Sequence, residues 1–190
     1  MEKAFMGISI RNPFYTKKEN ILKAIDLAKD YDEFLIFVVD IPYRLSLRAF
    51  KNLSEEQALS IALKEGSDLI NFLNNISKKF TDVKVISWKE LEDDNYKRFL
   101  IKAKKLEKKD PKFSGLLERE FTGAVLDKLS GNESKEKEKL CKDFIIEEVA
   151  MFSSLSYRDY NTRISKYTRA KSIDYFLKTK NLFLNHIQIK

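Results

Sequence analysis

The chain has 190 residues, 43% of them hydrophobic and 12% aromatic, which is enough for one well-packed core and too little for two ordinary domains. A lone cysteine, Cys141, excludes an internal disulfide, and a lone histidine, His186, excludes a conventional His/Cys metal cluster. An excess of 36 Lys and Arg over 29 Asp and Glu gives a formal charge of +7, which either attracts a polyanion such as nucleic acid or serves only to solvate the surface.

The N-terminus carries no signal-peptide pattern. The longest apolar run, Phe34 to Val39, is far shorter than the roughly 20 residues that span a bilayer. The expectation is therefore a soluble cytoplasmic protein of one domain, 1–190, with no membrane partner and no metal, and monomeric in the absence of a long heptad seam.

The opening Ala4 to Ile10 is a nearly continuous apolar run stopped by Asn12-Pro13, the pattern of a buried strand ending in a turn. Thr16 with Glu19 three residues on reads as a capping box before a helix carrying Ile21, Leu22, Ile25 and Ala28 at helical spacing. Glu33 to Asp40 is a second buried strand, and strand-helix-strand is the unit of parallel sheets. A long helix is expected from Ser54 to Lys79, and a third strand from Val83 to Trp88.

Glu90 to Leu129 is helical and charged, with a break at Asp110-Pro111 because the residue before proline resists helical angles. Ser130 to Lys139 reads as an exposed loop or a fraying helix start. Leu140 to Phe152 and Ser172 to Leu177 read as helices, Arg163 to Tyr167 and Leu182 to Ile189 as strands. The predicted architecture is α/β, a Rossmann-like, mostly parallel sheet sandwiched by helices, with ligands bound beyond the C-terminal ends of the strands.

Gly7-Ile8-Ser9-Ile10-Arg11-Asn12 puts a hydroxyl at the end of the first strand, two residues beyond a glycine on the same face. Ser9 either caps the turn with Asn12 or acts as a nucleophile. It does not sit in Gly-x-Ser-x-Gly, and a triad would have to recruit His186, near the C-terminus. Activation would instead come from Glu147 or Glu148, or from Tyr157, Tyr160 or Tyr167. Phe144, Glu148 and Phe152 share one helical stripe, and a carboxylate there needs a partner unless it is solvated. With five glycines and neither Gly-x-Gly-x-x-Gly nor a P-loop, a nucleotide site of the usual kinds is not encoded. Lys97, Arg98, Lys102, Lys104, Lys105, Lys108 and Lys109, with Lys112 beyond them, form a strongly basic helix and its exit, suited to phosphates.

Three blocks together resemble the cyclodipeptide synthases: GISIRNPFY followed by a helix and FLIFVVD, then FIIEEVAMF, then KYTRAKSIDYFL. The resemblance implies a fold like the catalytic domain of class I aminoacyl-tRNA synthetases without an ATP site. It implies an aminoacyltransferase that joins two aminoacyl-tRNAs into a 2,5-diketopiperazine by a ping-pong course, through an aminoacyl-serine and a dipeptidyl-enzyme. Because the substrate esters are already activated, no cofactor is required.

Carried over by position, Ser9 is the acylated nucleophile, Glu148 holds the substrate amine and Tyr167 assists proton transfer. Gly7 and Asn12 shape the surroundings of Ser9, while Phe5, Phe37, Val39, Met151 and Phe152 line the pocket for the first side chain, which is either apolar or small. A second pocket is expected around Phe121 to Lys128. Departures are Phe144, where the family has a substrate-positioning tyrosine, and Thr168, where histidine or proline is frequent. The helix from Ser54 to Lys79 is also less basic than the family's tRNA-contacting helix, so the helix of Lys97 to Lys109 takes over more of that task. The alternative is a tRNA- or RNA-binding α/β module that does no chemistry, with Ser9 serving only as a cap.

Overall fold

The computed structural model describes residues 2–125, 134–168 and 170–190, with the backbone alone for 121–125 and 134. The apolar runs become the strands Lys3–Ser9 (β1), Glu33–Val39 (β2), Val83–Ser87 (β3), Tyr160–Ser165 (β4) and Asn185–Gln188 (β5). They form one sheet in the order β3-β2-β1-β4-β5, and every neighbouring pair is parallel. β1 and β2 read as continuous apolar runs because helices cover both faces of a parallel sheet.

Lys18–Leu27 (α1) and Glu55–Ser77 (α3) cover one face, over a core of Ala4, Met6, Ile8, Ile36, Val38 and Leu73. Asp94–Lys109 (α4), Pro111–Val125 (α5), Ser134–Tyr157 (α6) and Lys171–Thr179 (α7) build the other layer. There Phe5, Phe37, Trp88, Phe99, Phe113, Phe152 and Phe176 form the larger core. With β2 and β3 on one side of β1 and β4 and β5 on the other, the strand order reverses between β1 and β4. In open α/β sheets the ligand crevice lies at such a switch point, outside the strands' carboxyl ends.

The expected boundaries hold where local chemistry sets them. Ser54 caps α3 by accepting from Gln57 N while the Gln57 side chain accepts from Ser54 N. Asp110 separates α4 from α5 with extended angles (φ −117°, ψ 103°), and its Oδ1 accepts from Lys112 N at 2.9 Å.

Other elements correct the reading. Thr16 forms no capping box; its hydroxyl turns back to Pro13 O at 3.0 Å, and α1 starts at Lys18 without a side-chain cap. Trp88 opens a 3-10 turn, Trp88–Leu91, instead of ending β3. Of the stretch read as a loop, 130–133 lies outside the described residues, while 135–139 is helical and belongs to α6. Lys142 ties that start down through Glu138 at 2.7 Å and Glu118 at 3.2 Å. α6 also runs on to Tyr157, and β4 begins at Tyr160 and ends at Ser165, so Tyr167 lies past the strand.

A helix absent from the reading, Tyr43–Lys51 (α2), follows β2. Asp40, 2% exposed, makes that exit: its Oδ1 accepts from Ile41 N at 2.8 Å and Trp88 N at 3.1 Å. Gly66 of α3 lets the helix pass directly over Asp40, since a Cβ at residue 66 would lie 2.6 Å from Asp40 Cβ. Among the described residues no helix is long and apolar enough to cross a membrane.

Candidate active site

Alternation along β1 sends Ala4, Met6 and Ile8 into the α1/α3 core and Phe5 into the α4–α7 core. Gly7 and Ser9 therefore share the face of Phe5. Ser9 ends β1 half-buried beside its register partner Val39. The chain then turns sharply: Asn12 N donates to Ser9 O at 3.3 Å, and Arg11 takes left-handed angles with φ 61°. Such a conformation is uncommon outside glycine and needs support. It comes from the ion pair of Arg11 with Glu65 of α3, in which Nε donates to Oε2 at 2.9 Å. A small cavity of about 220 Å³ opens on that side, lined by Ser9, Asn12, Tyr15, Glu65 and Leu69 among others.

Across the switch point, Tyr167 follows β4. Its hydroxyl donates to Asn12 Oδ1 at 3.3 Å, and the same oxygen accepts from Phe14 N at 3.1 Å. The backbone at Tyr167 is held from below, because Ser165 Oγ donates to Tyr167 O at 2.6 Å while lying 3.1 Å from His186 Nε2. His186 thus stands on β5 beside Ser165, two strands from Ser9. Tyr167 is half exposed and reachable from solvent.

Glu148 reaches the same end of the sheet through α6. This helix runs antiparallel to the strands, since it ends just before Tyr160, which pairs with Lys3 at the start of β1. Phe152 packs at 5.4 Å from Phe5 and 6.5 Å from Phe37. One helical turn back towards the strand ends is about 6 Å, and two residues of strand span about the same. Glu148 is therefore level with Gly7, two strand residues short of Ser9, and Phe144 lies one turn further on.

Loss of solvation pushes the Glu148 carboxyl above its ordinary range, with Arg163 opposing the rise and Glu120 adding to it. Arg163 of β4, the register partner of Phe5, is the cation whose charge opposes that rise, and its guanidinium lies 4.8 Å over the Phe152 ring.

By exposed surface Glu147 is the more deeply buried of the two, though it lies off the apolar stripe, and Glu148 is partly buried. Arg44 of α2 reaches it at 3.1 Å and also holds Glu55 at 2.9 Å. Burial raises the Glu147 carboxyl above its ordinary range, and the Arg44 charge partly opposes this. These two glutamates divide the work that the stripe alone assigned: Glu147 locks α2, α3 and α6 together, and Glu148 faces the strands. Neither Tyr157 nor Tyr160 joins Ser9. Tyr160 donates to Glu33 at the opposite end of the sheet, and Tyr157 lies against Arg98.

Phe5, Phe37, Val39, Met151 and Phe152 come together as one buried cluster, each no more than 3% exposed. The second pocket expected at 121–128 falls outside the described side chains. All seven expected basic residues of α4, Lys97, Arg98, Lys102, Lys104, Lys105, Lys108 and Lys109, are exposed. At 100° per residue they fill one arc of about 160°, opposite the buried Tyr96, Phe99 and Ala103. α4 runs antiparallel to α6, because Asp93 at its start pairs with Arg158 at 3.3 Å. Its last turns, with Lys104 to Lys109, consequently lie towards the end of the sheet where Ser9 stands. Among the described residues no group of three or more His, Cys, Asp and Glu side chains is placed to hold a metal ion.

No family model matches the chain, and no curated protein matches it either. Solved structures do share its fold. A CDPS from Fluoribacter dumoffii aligns over 100% of this chain and 90% of its own, with a TM-score of 0.84 and 16% identity. AlbC, a cyclodipeptide synthase from Streptomyces noursei, aligns over 100% and 95%, with a TM-score of 0.74 and 19% identity. A cyclodipeptide synthase from Candidatus Glomeribacter gigasporarum, solved bound to Phe-tRNAPhe, aligns over 99% and 87%, with a TM-score of 0.70 and 20% identity.

Proposed function

We propose that this chain is a cyclodipeptide synthase, an aminoacyltransferase that takes aminoacyl groups from two charged tRNAs and releases a cyclic dipeptide. The observation that carries this reading is the meeting of Ser9, Asn12 and Tyr167 at the β1/β4 switch point, with Glu148 on the covering helix level with Gly7. The shared fold supports it from a second direction.

In the proposed course, Ser9 Oγ attacks the ester carbonyl of the first aminoacyl-tRNA. The hydroxyl proton passes to the departing ribose oxygen, with Tyr167 as the relay. The amine of the serine-bound aminoacyl group then attacks the ester of the second aminoacyl-tRNA, forming the peptide bond and releasing the second tRNA. Finally the free amine of the dipeptidyl group attacks the serine ester, closing the ring and returning the proton to Ser9. Every acyl acceptor meets an already activated ester, so the sequence balances without ATP or a redox partner.

Glu148 contributes by holding the substrate amine in a partly desolvated place, which converts proximity into rate. Arg163 keeps that carboxylate compatible with its surroundings until an ammonium replaces it as the nearest cation. Phe144 offers no hydroxyl, so Glu148 performs this positioning without a neighbouring phenol. The basic arc of α4 neutralises acceptor-stem phosphates and leads the charged 3′ end towards Ser9.

The test is release of cyclic dipeptides from a pool of aminoacyl-tRNAs without added ATP, followed by mass spectrometry. Wild-type protein releases them and Ser9→Ala does not. Retained tRNA binding with no product from either protein would instead identify a non-catalytic binding module.

A further inference from the structure

A tight turn presents Ser9 at the end of β1. Ser9 O accepts from Asn12 N at 3.3 Å, so Ile10 and Arg11 hold the central positions of the turn, and Arg11 takes φ 61° at the second of them. Turns that need a positive φ there place glycine or asparagine in it, because a larger side chain crowds the backbone. Among the described residues the other non-glycine positions with a positive φ are Asn52, Asp159 and Asn181. All are of the two types whose short polar side chains ease that conformation. Arg11 is the exception, and it stands two residues past Ser9.

Glu65 of α3 supplies from outside what the Arg11 side chain lacks. Its Oε2 accepts from Arg11 Nε at 2.9 Å and its Oε1 accepts from Nη2, so paired bonds fix both the place and the plane of the guanidinium. Glu65 is itself held. The next residue, Gly66, passes so close to Asp40 that a Cβ there would lie 2.6 Å from Asp40 Cβ, and Asp40 is fastened at the exit of β2 by Ile41 N and Trp88 N. α3 thus stands at a set height over the strand ends, and Glu65 reaches from it to the exit of β1. Beyond Arg11 the chain is pinned again, by Phe14 N on Asn12 Oδ1 at 3.1 Å and by Tyr15 N on Asn12 O at 3.0 Å.

The side chains of the pair are 54% and 24% exposed, and ion pairs that meet solvent add little to overall stability. What this one does is select a backbone conformation at a single residue. A left-handed residue other than glycine persists only where its surroundings determine it. We infer that Glu65 is a positioning residue for the acylation of Ser9, acting through Arg11: their ion pair holds the left-handed turn that fixes the Ser9 hydroxyl at the end of β1. This rests on the reading of Ser9 as the acylated residue. Glu65 makes and breaks no bond in the reaction. Without it Arg11 relaxes towards negative φ, the bond between Ser9 O and Asn12 N opens, and Ser9 loses the frame it shares with the Asn12 amide that Tyr167 meets.

The experiment measures the initial rate of Ser9 acylation by quenched mass spectrometry with a saturating pool of aminoacyl-tRNAs, alongside tRNA affinity by fluorescence anisotropy and the urea midpoint. Glu65→Ala is expected to slow acylation about tenfold or more, as a small misplacement of a reacting group does, with affinity and midpoint close to wild type. Arg11→Ala is expected to match it, and the double variant Arg11→Ala/Glu65→Ala to be no slower than either alone, because the effects of paired residues do not add. Adding Arg11→Gly to Glu65→Ala is expected to restore most of the lost rate, since glycine takes a positive φ without help. Arg11→Asn makes the same comparison should glycine leave the turn too loose. Acylation by Glu65→Ala at the wild-type rate would overturn the inference while leaving Ser9 as nucleophile. So would failure of both rescues, or a loss confined to tRNA affinity, which would make Arg11 a phosphate contact. Neither adduct nor cyclic dipeptide from the wild type would overturn the reading of Ser9 and this inference with it.

Discussion

Tyr167 and Asn12 are joined across the switch point by a hydrogen bond of 3.3 Å from the phenol to the amide oxygen. The bond ties the exit of β4 to the exit of β1 and sets the phenol beside the turn that presents Ser9. Tyr167→Phe removes the proposed relay together with this one exposed hydrogen bond. It should lower kcat by about a hundredfold, as for loss of a general acid-base group, with stability within about 0.5 kcal/mol of wild type. Asn12→Ala loses both that bond and the one from Phe14 N, and should cost about 1 kcal/mol in urea denaturation as well as rate. Equal kcat in Tyr167→Phe and wild type would remove Tyr167 from the mechanism.

Glu148 gives a pH signature that does not depend on activity. Burial holds its folded pKa above the unfolded value. Sign follows directly: the folded protein binds that proton more tightly, so the favourable contribution is full below the unfolded pKa and is lost as pH rises through the folded one. Glu148→Gln carries no such loss. The stability of Glu148→Gln relative to wild type should therefore increase as pH rises from about 4 towards 7, measured as the difference in urea midpoints. A difference that stays constant across this range would show that Glu148 is not desolvated.

Arg44 and Glu147 form a pair with side chains only 19% and 10% exposed. Removing one member of a buried pair strands the other charge, at a cost of about 3 kcal/mol. Glu147→Ala should show that loss as a lower urea midpoint at unchanged m-value. Arg44→Lys should recover only part of it, because the guanidinium spans Glu147 and Glu55 together and an ammonium is a point charge.

The basic arc of α4 predicts salt dependence. Lys104→Ala and Lys108→Ala should each reduce the slope of log affinity for aminoacyl-tRNA against log salt by about 0.7–0.9. Fluorescence anisotropy titrations between about 50 and 200 mM salt measure it. An unchanged slope would move the tRNA contact to another surface.

Much of this was legible because local chemistry and burial agree. β1 and β2 are buried on both faces and read as unbroken apolar runs, and Ser54 and Asp110-Pro111 mark helix limits by their own hydrogen bonds and angles. α2 was not legible because it buries two sides. Leu45 and Ala49 pack with Leu140, while Leu47 packs with Ala58 and Ala62. Apolar residues at 45, 47 and 49 thus follow a period of two, and no helical stripe emerges. Missing α2 also concealed the role of Glu147, whose burial comes from Arg44 on that helix.

Arg163 gave no signal either: a charged residue in a short strand looks like a solvated one until its guanidinium is seen over Phe152. The stripe argument did single out Glu148 and asked for a partner there, and Arg163 is the cation that opposes the rise in its pKa. Ser9 and Asn12 were legible from the strand-turn pattern, whereas the proximity of Tyr167 depends on the β1/β4 pairing, which joins segments more than 150 residues apart.

The central claim is that Ser9 becomes covalently aminoacylated, and quenched mass spectrometry of intact protein followed by peptide mapping tests it most directly. Incubated with mixed aminoacyl-tRNAs, wild-type protein should gain an aminoacyl mass localised to the peptide containing Ser9, and Ser9→Ala should gain none. An adduct that persists in Ser9→Ala, or cyclic dipeptide released by that variant at the wild-type rate, would contradict the account.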